Sequence, residues 1–203
     1  LGALERPGCP SIPKSWLVKQ NCYSFDLEKA QKALQQVPKT AREDIYELKV
    51  SALGGNDIKK QAEYLQNQWK LQLGLEVRVS QVEQTTFINE LRQQPPDIFR
   101  KGVGIERPTC LSALETFSVD SRQNFIQLES SQYSDWVQAL GRLPVQSPRY
   151  KQICQKAVDL LLDQHWVIQL REMHFTLMAS PRFSGWTLNG MNQLDLSQLH
   201  PTP

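Results

Sequence analysis

The sequence predicts an α/β fold, a single lobe in which a mixed β-sheet is flanked by helices, from three observations. Apolar and polar residues alternate over 46–53 and 75–82, which is typical of half-buried strands, and 97–103 is predicted to be a third strand. Between these runs, apolar residues recur at the three- and four-residue spacing of amphipathic helices. The resulting order of strand, helix, strand, helix and strand is that of a layered α/β sheet. A further strand-like run at 166–179 is expected to complete the sheet.

Length and charge limit the classes of protein that the chain can be. Its 203 residues fit one domain, and we expect an extended lead-in over 1–25 followed by one α/β domain over 26–203. The formal net charge is only +2, and no basic tract marks a nucleic-acid interface. No apolar run approaches the roughly 20 residues that cross a bilayer. The first residues lack the basic and apolar regions of a signal peptide, so we expect a mature or excised piece whose targeting information is missing.

The first half of the chain carries clear signals for where helices begin and end. Asp26 is predicted to cap a helix that stops before Pro38. Asp57 is predicted to cap the next helix, and Gly74 stands where a C-terminal glycine belongs. One face of this second helix is apolar and should pack on the sheet: Ile58, Ala62, Leu65, Trp69 and Leu73.

The second half begins at a short helix, TTFINELRQQ, that Pro95 and Pro96 stop. A Gly-x-Gly turn follows the third strand, and CLSALETF makes a short helix after it. A polar loop follows this helix and leads to the segment WVQALGRL. The clearest amphipathic helix is RYKQICQKAVDLLLDQHW, with one apolar stripe: Ile153, Ala157, Leu160 and Leu161.

Catalytic and metal-binding motifs are absent from the sequence. It contains no nucleophile elbow, Walker loop or dinucleotide fingerprint, and we expect neither an enzyme nor a cofactor. The three histidines lie in different predicted elements, so nothing local brings them together. Gly54-Gly55 could bind an anion through free N–H groups at a helix start, although a tight turn is the simpler interpretation. The histidines are His165, His174 and His200.

The four cysteines show no C-x-x-C spacing, which argues against a zinc site. An even number would permit disulfides in a secreted protein, but cysteines are also common as buried apolar residues. Whether any of them pair is therefore left open. They are Cys9, Cys22, Cys110 and Cys154.

The order of six short segments along the chain is a more specific sign of a protein family than any one segment is. They are PSIPKSWLVKQNCYSFDLEKAQKAL, AEYLQNQWKLQLGLEVRVSQVE, Phe87, DIFRKGVGIERPTCLSALETF, YKQICQKAVDLLLDQHWVIQL and FSGWTLNGMNQLDLSQL. In this order they resemble the C-terminal lobe of the extracytoplasmic solute-binding proteins of oligopeptide and dipeptide ABC importers, the family 5 type. The resemblance implies a periplasmic-binding-protein-like fold of type II from which the N-terminal lobe is missing. It also implies a receptor outside the cytoplasm, periplasmic or lipid-anchored, that closes on a peptide-like or other small solute and delivers it to an ABC permease.

The resemblance places a ligand loop at 102–108. In the family this segment carries an acid that binds the amino terminus of a peptide, and counting back from the proline puts that position at Gly104. The nearest carboxylate is Glu106, and Arg107 stands where an acid commonly precedes the proline. Asn124 falls where the family often has an asparagine. The resemblance therefore makes Gly104, Glu106, Arg107 and Asn124 candidate ligand-binding residues, although Glu106 and Arg107 could be a solvated pair and Asn124 could satisfy turn backbone.

Two other functions remain open at this level. Some bacterial transcription regulators join a DNA-binding domain to a solute-binding module of this family, and the chain could be the ligand-sensing domain of such a protein in the cytoplasm. An α/β enzyme fragment would need a nucleophile and a base, and the sequence offers no such pair. This domain itself is expected to bind no nucleic acid and to insert into no membrane.

Overall fold

The computed structural model of the chain describes residues 14–19, 24–145, 147–170, 178–189 and 193–202. The chain divides into two compact units. The sheet unit consists of Phe25–Val103 and Phe125–Gln127. The helical unit consists of Leu1–Ser24, Gly104–Asn124 and Leu128–Pro203. The division into a lead-in over 1–25 and one domain over 26–203 stays a prediction.

The sheet unit alternates helices and strands as the sequence predicts. Its elements are α1 (Leu27–Gln35), α2 (Lys39–Arg42), β1 (Ile45–Ser51), α3 (Gly55–Leu73), β2 (Glu76–Val82), α4 (Gln84–Gln93) and β3 (Ile98–Arg100). This order confirms the predicted α/β fold.

The three strands form a parallel sheet in the order β2-β1-β3. The sequence predicted a mixed sheet with a strand at 166–179, but residues 166–170 and 178–180 lie outside any strand. Residues 171–177 lie outside the described ranges, so a strand over these residues stays a prediction. The third strand, Ile98–Arg100, is shorter than the predicted 97–103. Just before it, the Asp97 carboxylate accepts from the Glu47 N–H at 2.9 Å.

One face of the sheet packs against α3. Leu48 and Val50 of β1 are buried against Ile58 and Ala62 of α3. Leu65 and Trp69 of the predicted apolar stripe are partly buried against the same cluster, and Leu73, the fifth residue of the stripe, is not part of it. The helical spacing read from the sequence is therefore confirmed.

A second apolar cluster in this unit is built on α4. Phe87 and Leu91 are almost fully buried, and Phe125 packs against them. Val82 and Phe99 border the same cluster. Phe125 is far from α4 in the sequence, but its ring packs against the buried face of this helix.

The predicted helix signals at Asp26 and Gly74 are confirmed. The Asp26 carboxylate accepts a hydrogen bond from the Lys29 N–H at 2.8 Å, and Gly74 ends α3 with φ of 69°. The prediction that Asp57 caps α3 is wrong, because the helix begins two residues earlier, at Gly55. Asp57 lies instead in the first turn, where a carboxylate is favoured by the helix dipole.

The helical unit contains three α-helices and four short strands in its described part. They are α5 (Cys110–Leu114), α6 (Ser131–Arg142), α7 (Pro148–Asp163), β4 (Phe183–Ser184), β5 (Thr187–Leu188), β6 (Leu194–Asp195) and β7 (His200–Pro201). β4 pairs with β7 and β5 with β6, both antiparallel. None of the helices within the described ranges is long and apolar enough to span a membrane.

A disulfide and two tyrosines hold the helices of this unit together. Cys110 of α5 is bonded to Cys154 of α7, and both residues are completely buried. The Tyr150 hydroxyl accepts from the Leu111 N–H at 2.9 Å. Tyr133 of α6 donates to the Leu114 carbonyl oxygen at 2.8 Å, and burial raises the pKa of its hydroxyl. The pairing of two cysteines 44 residues apart answers, for these two, a question that the sequence left open.

Candidate functional site

The carboxyl ends of the three strands meet at one edge of the sheet. The register pairs Ser51 at the end of β1 with Val82 at the end of β2. It pairs Val50 with Arg100, the last residue of β3. Ligands in open α/β sheets favour this edge. The loop after β1 and the start of the 102–108 turn therefore leave the sheet from the same side, as the strand order predicts.

The loop after β1 is a tight turn. Residues 52–54 form a short 3₁₀ helix, and the Ser51 hydroxyl accepts from the Leu53 N–H at 3.1 Å. Gly55 has φ of 60°, a conformation that residues with a side chain rarely adopt. Ser51 also donates to the Gln84 side-chain oxygen. These bonds favour the simpler interpretation of Gly54-Gly55, a turn that connects β1 to α3.

An ion network that the sequence did not predict lies on the α4 face of the sheet. The Lys49 ammonium is 2.7 Å from a Glu90 oxygen and 3.5 Å from a Glu47 oxygen, and 13% of its side chain is exposed. Its hydrogen bond to Glu90 raises the pKa of Lys49, an effect that burial partly opposes. The Ser80 hydroxyl donates to Glu47 at 2.7 Å. Since every charge here has a partner, the network joins α4 to β1 and offers no free ligand group.

The turn that follows β3 begins in the sheet unit and is open to solvent. Gly102 and Val103 are exposed, and no atom lies within 4 Å of the position that a Cβ on Gly102 would occupy. Lys101, just before them, is partly buried, and its ammonium lies 5.0 Å from the centroid of the Phe125 ring. Burial lowers the pKa of Lys101. The entry to the predicted ligand loop therefore carries a cation that the sequence analysis did not include among the candidate residues.

Three of the four candidate ligand residues lie close together in the chain, at the start of the Gly104–Asn124 segment of the helical unit. Gly104 and Glu106 are exposed, and the space around Gly104 would accept a side chain. Arg107 pairs with Glu115 at 3.0 Å rather than with Glu106. Its backbone N–H donates to the Ser112 hydroxyl at 3.3 Å, which ties the turn to the start of α5. Within the described part of the chain Glu106 forms no ion pair, so its carboxylate is available to a ligand.

Asn124 uses its side chain to close a loop of the backbone. Its amide nitrogen donates to the Leu128 carbonyl oxygen at 3.1 Å, and its oxygen accepts from the Leu128 N–H at 3.0 Å. This is the role in turn backbone that the sequence offered as an alternative. A contact between Asn124 and a ligand stays a prediction.

One serine–histidine pair went unrecognised in the sequence because sixteen residues separate its members. Ser184 and His200 are register partners in β4 and β7, and Ser184 Oγ lies 3.0 Å from His200 Nε2. His200 Nδ1 lies 2.8 Å from the Gln198 carbonyl oxygen. The pair is exposed on a two-stranded sheet, and we interpret it as a cross-strand contact. His174 lies outside the described residues, and within them no three metal-ligating side chains converge.

Comparisons with known proteins find solved structures that are similar to this chain, but no similar protein family or curated protein. No family model matches the chain, and no curated protein matches it. The periplasmic oligopeptide-binding protein OppAIV from Borrelia burgdorferi is similar over 97% of this chain, with a TM-score of 0.76 and 22% identity. Haemophilus influenzae OppA, in complex with RPPGFSPFR, is similar over 99%, with a TM-score of 0.76 and 17% identity. The substrate-binding domain of an oligopeptide ABC transporter from Bacillus anthracis is similar over 90%, with a TM-score of 0.69 and 17% identity.

The chain is much shorter than these proteins. It spans 40% of the Borrelia protein, 41% of the Haemophilus protein and 36% of the Bacillus protein. At these identities the likeness concerns the fold. The chain therefore has the periplasmic-binding-protein fold of a part of the oligopeptide-binding proteins, which is the fold that the resemblance of its six segments predicted.

Proposed function

We propose that this chain is one lobe of a solute receptor that serves an ABC importer, and that it binds a peptide-like or other small solute by closing against a second lobe. The observation that carries the proposal is the similarity of fold, with a TM-score of 0.76 over nearly the whole chain, to two oligopeptide-binding proteins. One of these holds the peptide RPPGFSPFR. Because the chain spans about two fifths of each, the proposal includes a second lobe that it does not contain. Hinge closure of two lobes around a ligand is the usual motion of such receptors.

The ligand surface in this proposal is the turn that follows β3. Gly104 leaves open space, and the exposed Glu106 carboxylate is available to an amino group of the solute. Arg107 would contribute less, because Glu115 already partners it at 3.0 Å. The turn leads from the carboxyl edge of the sheet, where ligands of α/β sheets favour binding.

The Cys110–Cys154 disulfide supports a location outside the cytoplasm. Disulfides persist in oxidising compartments and are rare in cytosolic proteins, where thiols are kept reduced. The proposed receptor is therefore periplasmic or anchored at the cell surface. A cytoplasmic transcription regulator receives no support from this bond.

Calorimetry with a peptide library tests the proposal on the full-length protein that contains this chain. We expect saturable binding of at least one class of peptide. Glu106→Gln should weaken the binding of peptides with a free amino terminus, because the variant loses a charge-assisted hydrogen bond. Glu129→Gln, an exposed change in the same unit, is the control and should leave affinity unchanged. The absence of binding across the whole library would overturn the proposal.

A further inference from the structure

The start of α5 is attached to α7 at two successive residues. Cys110, the first residue of α5, is bonded to Cys154, and the Leu111 N–H donates to the Tyr150 hydroxyl at 2.9 Å. Tyr150 and Cys154 lie one turn apart on the same face of α7. Tyr150 and both cysteines are buried. α7 therefore holds the first residues of α5 at two buried points.

The second of these points satisfies a donor that α5 cannot satisfy by itself. The first N–H groups of a helix have no acceptor within the helix. The Ser112 N–H donates to the Thr109 hydroxyl at 3.2 Å, a cap that the local sequence supplies. The Leu111 N–H depends instead on Tyr150, which is 39 residues away in the chain. Because α5 has only five residues, too few for a stable helix in isolation, contacts of this kind set its position.

The turn at 104–109, which carries the candidate ligand residues, is bonded to α5. The Arg107 N–H donates to the hydroxyl of the buried Ser112 at 3.3 Å. The Thr109 N–H donates to the Arg107 carbonyl oxygen at 2.7 Å. The Arg107 guanidinium also pairs with Glu115, but both side chains are largely exposed, so this pair adds little. The backbone of the turn is therefore expected to move with α5.

The other end of α5 is held by a different helix. The Tyr133 hydroxyl of α6 donates to the Leu114 carbonyl oxygen at 2.8 Å, and Tyr133 is buried as deeply as Tyr150. Replacement of either tyrosine by phenylalanine removes one buried hydrogen bond to α5. Only the bond of Tyr150 lies at the end of α5 that joins the turn. The two tyrosines are therefore a matched pair for an experiment.

We propose that Tyr150 is a positioning residue for solute binding. Together with the Cys110–Cys154 disulfide it fixes the start of α5, and through α5 it fixes the turn that carries the Glu106 carboxylate. The inference rests on the proposed function for the role of Glu106. A ligand surface that is fixed before binding loses little conformational freedom when the ligand arrives, and this raises the affinity.

The first experiment measures the attachment without any solute. Hydrogen exchange in the full-length protein that contains this chain is followed by mass spectrometry for the segment 104–112 and for α7. Tyr150→Phe should speed the exchange of this segment about tenfold relative to that of α7, because a buried donor loses its acceptor. Tyr133→Phe is the matched control and should leave the ratio of the two rates unchanged, since a general loss of stability speeds both. An unchanged ratio in Tyr150→Phe would overturn the inference.

The second experiment measures the consequence for binding. Calorimetry compares paired peptides that carry a free or an acetylated amino terminus, and the unmodified full-length protein should prefer the free amino terminus because Glu106 binds it. Tyr150→Phe should reduce this preference about fivefold, the equivalent of one hydrogen bond, and Tyr133→Phe should preserve it. The preference is a ratio of two affinities in one protein, so a smaller folded fraction does not change it. If Tyr150→Phe fails to fold, Ser112→Ala removes the hydrogen bond to Arg107 and should reduce the same preference.

The outcomes separate this inference from the proposed function. A preference for the free amino terminus that survives both Tyr150→Phe and Ser112→Ala would overturn the positioning role and leave the receptor proposal standing. A library without any binding peptide would overturn the receptor proposal, and the exchange measurement would then decide alone whether Tyr150 fixes the turn.

Discussion

Removal of the Cys110–Cys154 disulfide should destabilise the helical unit by an amount that the length of the closed loop sets. The two cysteines are 44 residues apart in the chain. A crosslink that closes a loop of this length lowers the conformational entropy of the unfolded chain. At room temperature this loss of entropy stabilises the folded state by about 4 kcal/mol. Both residues are fully buried, and the replacement of both by alanine removes the two sulfur atoms together without adding a polar group. We therefore expect the Cys110→Ala/Cys154→Ala variant to lose about 4 kcal/mol.

Native-state hydrogen exchange measures this loss where it occurs. The amides of α7 report the free energy of opening for the helix that carries Cys154. Lys156→Ala, an exposed change on the same helix, is the control, and we expect it to stay within about 0.5 kcal/mol of the unmodified chain. A loss of less than about 1 kcal/mol in the double variant would refute the chain-entropy reasoning for this loop.

Three further predictions concern the sheet unit and the Asn124 loop. Phe87→Ala should lower the free energy of unfolding in urea by roughly 3–5 kcal/mol, because the ring is almost fully buried. Phe25→Ala is the control and should change this free energy little, because Phe25 is 84% exposed. Equal losses in the two variants would contradict the assigned core. The Glu83 carboxylate accepts hydrogen bonds from two backbone N–H groups at the start of α4, and these bonds lower the pKa of Glu83 below its ordinary value of 4.5. The contribution of Glu83 to stability is therefore present above the ordinary pKa and is lost as the pH falls through the lowered pKa. An NMR titration midpoint for Glu83 at or above 4.5 would contradict this assignment. Asn124→Ala should lower the free energy of unfolding in urea by roughly 1–3 kcal/mol, because the N–H and carbonyl of the buried Leu128 lose their hydrogen bonds to the Asn124 side chain. An unchanged urea midpoint would contradict the loop closure by Asn124.

Local pattern predicted most of the sheet unit. The stripe that contains Ile58 and Trp69 identified the buried face of α3, and Asp26 and Gly74 marked helix ends. These features depend on neighbours within one or two turns of chain, and such neighbours are visible in a sequence. The cap of α3 was misplaced for a similar reason, since two glycines allow more than one starting residue.

Long-range contacts could not be predicted in the same way. Lys49 pairs with a glutamate 41 residues away, and the disulfide joins residues 44 apart. Phe125 lies in a polar loop by sequence, yet it packs into the α4 cluster and contacts the Lys101 ammonium. Alternation alone cannot distinguish a strand from an extended segment without a partner, which is why 166–170 was assigned to the sheet. The candidate ligand residues were located only through a resemblance to a protein family.

The central claim is that this chain supplies one of two lobes that close on a solute. The most direct test is a calorimetric comparison of one peptide with the 203-residue chain and with the full-length protein. A receptor site buries most of its ligand, so half of a cleft should lose at least about 4 kcal/mol, or roughly a thousandfold in affinity. We predict that the chain alone binds at least that much more weakly than the full-length protein. Low-micromolar binding by the chain alone, equal to that of the full-length protein and unchanged by Glu106→Gln, would contradict the claim.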